Sequence, residues 1–308
     1  LGTVYKRFSS KEDILAAALE LQVSRLHELI RSNPIEGASP EDRLKEFFAM
    51  ATNALAPQPR LAAALLRTGW RVEVSVVTPS AARPYAGLDL DRMAVGSLQG
   101  EDAIEAVLNN GAGFRWVIDA THPFAVRISA DLARTCAMCG QPLLRLQRPL
   151  EQGGAVQLLD RFGDLRGVDL GGRRLLLALG GRHLPAVHSD AVAAGAEVFA
   201  RCLPSADGLR AALAAGLPPD HLAVVRPLQG ARAGAIERAL CRRWRITDVI
   251  CRQSGGVTER LWRQLSADLD LRLLMLRRPA PPAGVETVES EASLMKRLQE
   301  APRGGADD

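Results

Sequence analysis

Asp119, Thr121 and His122 stand together directly after a run of Trp116, Val117 and Ile118, and Pro123 follows them. A carboxylate, a hydroxyl and an imidazole so spaced could orient a ligand or move a proton, imidazole being the side chain that titrates nearest neutral pH. The apolar run reads as a short strand covered on both faces, as in parallel sheets. Ligands of such sheets bind beyond the carboxyl ends of the strands, which makes Asp119, Thr121 and His122 the candidate catalytic group. The alternative is a loop tied down by its own side chains, since Asp and Thr commonly bond nearby backbone groups. Pro123 suits the first turn of a helix, with Thr121 or His122 as its cap. Ile128, Leu132, Cys136 and Cys139 then continue one apolar helical face.

Two glycine loops repeat the arrangement. Val249, Ile250 and Cys251 read as a buried strand, Ser254-Gly255-Gly256 as a tight turn, and Val257 to Leu265 as a helix. Backbone N–H groups at such a helix start form an anion site, so this loop is a candidate for a nucleotide phosphate or a substrate carboxylate. The competing reading is a turn that needs glycine only for its dihedral angles. Gly180, Gly181 and Arg182 likewise follow an apolar run, and both loops are candidate cofactor-binding sites. No GxGxxG fingerprint accompanies them, so the loops alone name no dinucleotide. Arg145 and Arg148 in "PLLRLQRP", with Arg252, are candidate substrate-binding residues, because guanidinium groups pair carboxylates through two parallel bonds.

The elements that must position these residues alternate. "GWRVEVSVV" reads as a strand, and "MAVGSLQGEDAIEAVLNNGAGFRWVIDA" as strand, glycine loop, helix and strand. With 308 residues the chain is long enough for two cores. Its net charge of +4, from 39 basic and 35 acidic residues, is too small for a strong nucleic-acid footprint, although a local basic patch could bind an anionic ligand. No apolar stretch is long enough to span a bilayer and no signal sequence opens the chain, so a cytoplasmic location is expected. The five cysteines are scattered and odd in number, which makes no disulfide framework. Cys136 and Cys139 have no second ligand pair, and no metal site is expected.

Asp119-Ala120-Thr121-His122-Pro123-Phe124-Ala125 resembles the signature of the precorrin-6A reductases, enzymes of corrin ring biosynthesis. "PLLRLQRP", "RRLLLALGGRHL", "VFARCLPS", "VICRQSGGVTERL" and "LRLLMLRRP" continue the resemblance in order over about residues 69–279. It implies an α/β fold of two Rossmann-like parallel-sheet domains facing across a cleft, about residues 69–165 and 166–308. It also implies a tetrapyrrole substrate, precorrin-6A or its cobalt form, reduced by hydride from NADPH. The chain departs from the family's usual pattern at Cys251-Arg252-Gln253, at Arg260 and at Arg226-Pro227-Leu228.

Residues 1–68 differ in character. "GTVYKRF" followed by Ser10-Lys11-Glu12, and an apolar stripe at Ile14, Leu15, Leu19, Val23, Leu26 and Ile30, resemble part of a TetR-type regulator. The leucine at position 1 suggests a fragment or a processed start. A helix-turn-helix needs its first helix, which this stretch lacks, so DNA binding is not expected. The strand and Gly-Gly-Thr loop that open the reductases are missing, which leaves the first domain a strand short and the chain a weak or inactive reductase. A regulator fragment and a non-catalytic corrinoid-binding protein are the competing readings.

Overall fold

The computed structural model describes residues 59–110, 113–203, 206–225 and 233–300. The helical, TetR-like reading of residues 1–58 and the tripeptide Arg226-Pro227-Leu228 lie outside the described residues. By its contacts the chain divides into two units, residues 1–99 and 100–308. No helix among the described residues is long and apolar enough to cross a membrane.

In the first unit α1 (Arg60–Arg67) buries Ala62, Ala63 and Leu65. It ends where the Thr68 hydroxyl donates back to the carbonyls of Ala64 and Leu65, and Gly69 takes φ +86°. Strand β1 (Glu73–Val76), a single helical turn α2 (Pro79–Ala82) and strand β2 (Arg92–Val95) follow, and the strands pair in parallel with Glu73 opposite Arg92.

The second unit runs α3 (Gly100–Leu108), β3 (Val117–Asp119), α4 (Val126–Met138), β4 (Leu143–Leu146), β5 (Val156–Leu159), β6 (Arg174–Leu177), α5 (Leu184–Ala193), β7 (Glu197–Cys202), α6 (Ala206–Ala214), β8 (Leu222–Val224), α7 (Ala235–Arg243), β9 (Asp248–Arg252), α8 (Val257–Leu269), β10 (Arg272–Leu276), β11 (Glu286–Val288) and α9 (Glu291–Gln299). These strands make a three-stranded sheet, β11-β4-β3, and a six-stranded sheet, β5-β10-β9-β6-β7-β8. Every described strand pair is parallel.

Alternation builds the larger core. Successive strand side chains point to opposite faces, and both faces of the central strands of the six-stranded sheet are covered, so those strands are apolar in their middle residues. Leu175, Leu177, Ile250 and Leu274 pack with Leu184 and Val187 of α5 on one face. Leu176, Val249, Cys251, Leu273 and Met275 pack with Trp262 and Leu265 of α8 on the other. Helix α8 runs on to Leu269, past the expected end at Leu265, and Asp270 closes it in the left-handed conformation.

Two strands differ from a division at residues 165/166. Strand β5 pairs with β10 in the six-stranded sheet, setting Val156 against Leu273 and Leu159 against Leu276. Strand β11 returns to the three-stranded sheet beside β4. The reason is complementary apolar surface: α9, which follows β11, buries Leu294 and Leu298 and lays the Arg297 guanidinium 4.9 Å from the centre of the Trp116 ring. The chain therefore passes between the sheets twice, through residues 147–155 and 277–285.

Candidate functional site

Parallel strands β3 and β4 set Asp119 directly opposite Arg145. Both are buried, each 2% exposed, and the Arg145 guanidinium donates to the Asp119 carboxylate. Arg145 also donates to Ser129 Oγ of α4 at 2.7 Å and to Gln147 Oε1 at 3.2 Å. Ser129 Oγ in turn shares a hydrogen bond of 3.1 Å with Thr121 Oγ1, and the Thr121 N–H donates to Asp119 Oδ1 at 3.0 Å. Arg145, expected to meet a substrate carboxylate, is thus committed to Asp119. Removing one partner of such a pair leaves a buried charge uncompensated, at a cost of about 3–5 kcal/mol.

The loop itself corrects the expected cap. Helix α4 starts at Val126 with Ala125 as N-cap and no side-chain cap. Thr121 and His122 serve a turn ahead of it instead: the Ala125 N–H donates to the His122 carbonyl at 2.7 Å. The Phe124 N–H donates to His122 Nδ1 at 3.2 Å. A ring that accepts at Nδ1 carries its proton on Nε2, so His122 offers a donor there. At the far end of α4, Cys136 is buried but Cys139 is the exposed C-cap, because the helical period stops at Met138. Burial pushes the Cys136 thiol up to about 11 and the Cys251 thiol up to about 12, which makes both poor nucleophiles. Among the described residues no three His, Cys, Asp or Glu cluster as metal ligands.

Three guanidinium groups, those of Arg252, Arg148 and Arg278, lie close enough to act on the charge of His122. Burial first, then these three charges in that order, push its pKa down to about 4, so the ring is neutral near pH 7. Arg252 lies 5.2 Å from the centre of the Phe124 ring, and Arg148 is exposed on the passage after β4. Arg278, which sequence reading missed, lies just beyond β10. Its signal was available: it is a polar residue at the carboxyl end of a buried strand, as Arg252 is. Ser129, interior to a helix, carried no such signal.

The six-stranded sheet reverses its winding between β6 and β9, and ligands of open parallel sheets bind beyond the carboxyl ends at such a point. The flanking loops are Gly180-Gly181-Arg182 and Arg252 to Gly256. They meet there, since a Cβ at Gly180 would lie 3.7 Å from an Arg252 guanidinium nitrogen. Gly181 packs on α6, where a Cβ would come within 3.1 Å of the Gly208 backbone. The second loop holds anions, but they are the protein's own. The Gly255 N–H donates to Glu259 at 2.7 Å and the Gly256 N–H to Glu151 at 3.0 Å. Glu151 pairs with Arg260 at 2.8 Å and Glu259 with Arg263 at 2.9 Å. Buried Ser254 donates its N–H to the Arg252 carbonyl at 2.8 Å. An incoming anion at this point would meet arginine side chains, Arg252 foremost, rather than the glycine N–H groups.

Residues 58–299 match the protein family described as precorrin-6x reductase CbiJ/CobK. The chain is 30% identical over 223 residues to the precorrin-6A reductase of Mycobacterium tuberculosis, covering 70% of this chain and 85% of that one. It is 28% identical over 227 residues to the cobalt-precorrin-6A reductase of Synechocystis sp., covering 71% and 84%. Among solved structures it resembles the CobK precorrin-6A reductase with a TM-score of 0.61 at 23% identity, over 80% of this chain and 94% of that one. The match corrects both expected limits of the resemblance. It takes in α1, read above as the end of the TetR-like stretch, because an amphipathic stripe such as Ala62, Ala63 and Leu65 does not distinguish one helical family from another. At the other end it passes residue 279 to include β11 and α9, and over this span the chain belongs to the precorrin-6x reductase CbiJ/CobK family.

Proposed function

We propose that this oxidoreductase reduces precorrin-6A, or its cobalt form, to the dihydro product of corrin ring biosynthesis, with NADPH as the reductant. The observation that carries the reading is the grouping of Arg148, Arg252 and Arg278 around a neutral His122 at the carboxyl ends of β3, β4, β9 and β10. A macrocycle bearing several carboxylates needs fixed cations, and guanidinium groups bind carboxylates in a defined plane.

NADPH, when bound, supplies a hydride. The loop at Gly180–Arg182 would hold it at the winding reversal, beside the Ser254–Gly256 loop, whose glycine N–H groups already meet Glu259 and Glu151. Arg252, rather than meeting the cofactor, would with Arg148 bind and orient the acetate and propionate arms. His122 offers its Nε2–H as a hydrogen-bond donor to the ring periphery, and its neutrality suits it to donate a bond rather than a full proton. Asp119, Thr121 and Ser129 hold the His122 loop through the Arg145 network, so their contribution is orientation.

The test is nicotinamide oxidation by the full chain with precorrin-6A and with its cobalt form, NADPH against NADH. Arg252→Ala should raise KM for tetrapyrrole about tenfold or more, a lost charge-assisted bond being worth roughly 1.5–3 kcal/mol. Tetrapyrrole binding with no nicotinamide oxidation would instead support a non-catalytic corrinoid-binding protein.

A further inference from the structure

Arg278 is placed unlike the other arginines of the site. It lies on residues 277–285, the passage from the six-stranded sheet back to the three-stranded one, while Arg148 lies on residues 147–155, the outward passage. The Arg278 Nη1 donates to the Arg148 carbonyl at 2.6 Å and its Nε to the Gln253 carbonyl at 3.1 Å. Its backbone N–H donates to Gln253 Oε1 at 3.1 Å. One residue thus ties both passages to the loop after β9.

Gly255 makes the junction possible. A Cβ there would lie 2.5 Å from Arg278 Nη2, 2.6 Å from the Pro149 carbonyl and 3.0 Å from Arg148 Cβ. Nη2 is buried and has no hydrogen-bond partner among the described residues. Leaving a guanidinium nitrogen so is unfavourable, which argues that the site holds Arg278 for where it puts its neighbours rather than for net stability.

We infer that Arg278 is a positioning residue: it locks the two passages between the sheets against the loop after β9, and thereby fixes Arg148 and Arg252 relative to His122. The inference rests on the reductase reading for its kinetic readout and on geometry for a spectroscopic one. Lysine keeps the charge but has no fork to span the Arg148 and Gln253 carbonyls together. In the Arg278→Lys full chain the junction loosens, water reaches His122, and the imidazole titrates closer to its ordinary 6.5 instead of about 4. Misplacing binding groups by about 1 Å costs on the order of 100-fold, so kcat/KM should fall about 10- to 100-fold.

The experiment follows the His122 ring by NMR across pH in the wild-type, Arg278→Lys and Gln253→Met chains, alongside NADPH oxidation with precorrin-6A. Gln253→Met removes one bond of the junction and leaves Arg278 in place, so it should shift the His122 midpoint upward by less, and it decides the matter if the lysine variant does not fold. Midpoints at the wild-type value overturn the inference. So does a lysine variant with wild-type turnover, which would reduce Arg278 to a charge. Should the wild-type chain fail to oxidise NADPH with precorrin-6A, the reductase reading falls, and the His122 midpoints still decide the role of Arg278.

Discussion

At the scale of single residues the site is governed by which charges are already answered. Asp119 and Arg145 answer each other, Glu259 and Glu151 answer the glycine N–H groups, and Arg148 pairs with no acidic side chain among the described residues. His122 sits beside the arginines with its pKa lowered, and the sign of the consequence is fixed. The unfolded imidazole binds a proton below about 6.5 and the folded one only below about 4, so His122 contributes stability above pH 6.5 that is lost as pH falls from 6.5 towards 4. His122→Gln should remove that slope. Halving the full linkage value because the ring is partly exposed, wild type should lose about 1 kcal/mol more than the variant between pH 7 and pH 5. Urea denaturation at the two pH values measures it, and parallel losses would place His122 in an ordinary solvated environment.

At the scale of elements, the buried strands were legible because their residues are apolar without interruption. Val249 to Cys251 and Leu175 to Leu177 could only be strands covered on both faces, and polar residues at their carboxyl ends pointed to a site. The turn ahead of α4 was not legible, since Thr and His cap helices and turns alike and only backbone geometry separates the two. Nor was the partner of Arg145, because strand register is a tertiary fact. The Ser254–Gly256 loop shows the same limit: its glycines were visible as a helix start, but not the reason for them. Gly255 has φ +68° and no room for a Cβ. Gly255→Ala should therefore destabilise the fold by about 3 kcal/mol, combining roughly 1–3 kcal/mol for the left-handed backbone with a similar amount for overlap. Thermal unfolding checks this, and an unchanged midpoint would mean that the Pro149 and Arg278 contacts yield easily.

At the scale of the whole molecule, the family match begins at residue 58, and the resemblance expects a strand with a Gly-Gly-Thr loop ahead of α1. Among the described residues β1 has one partner, β2, and a further strand would pair along its other edge. Replacing residues 1–57 with a family-type strand and loop should raise NADPH turnover at least about tenfold, by completing the parallel sheet at that edge. Equal turnover of the two chains would show the added strand to be dispensable. The strand that crosses back, β11, has a consequence in time. A ribosome releases β3 and β4 early, yet Thr287, which stands opposite Arg145 on β11, emerges only after every strand of the six-stranded sheet has been made. The sheet that carries Asp119 must wait, half-built, for the last part of the polypeptide, so a synthesis pause before residue 286 would hold a nascent protein with one finished sheet and one exposed edge.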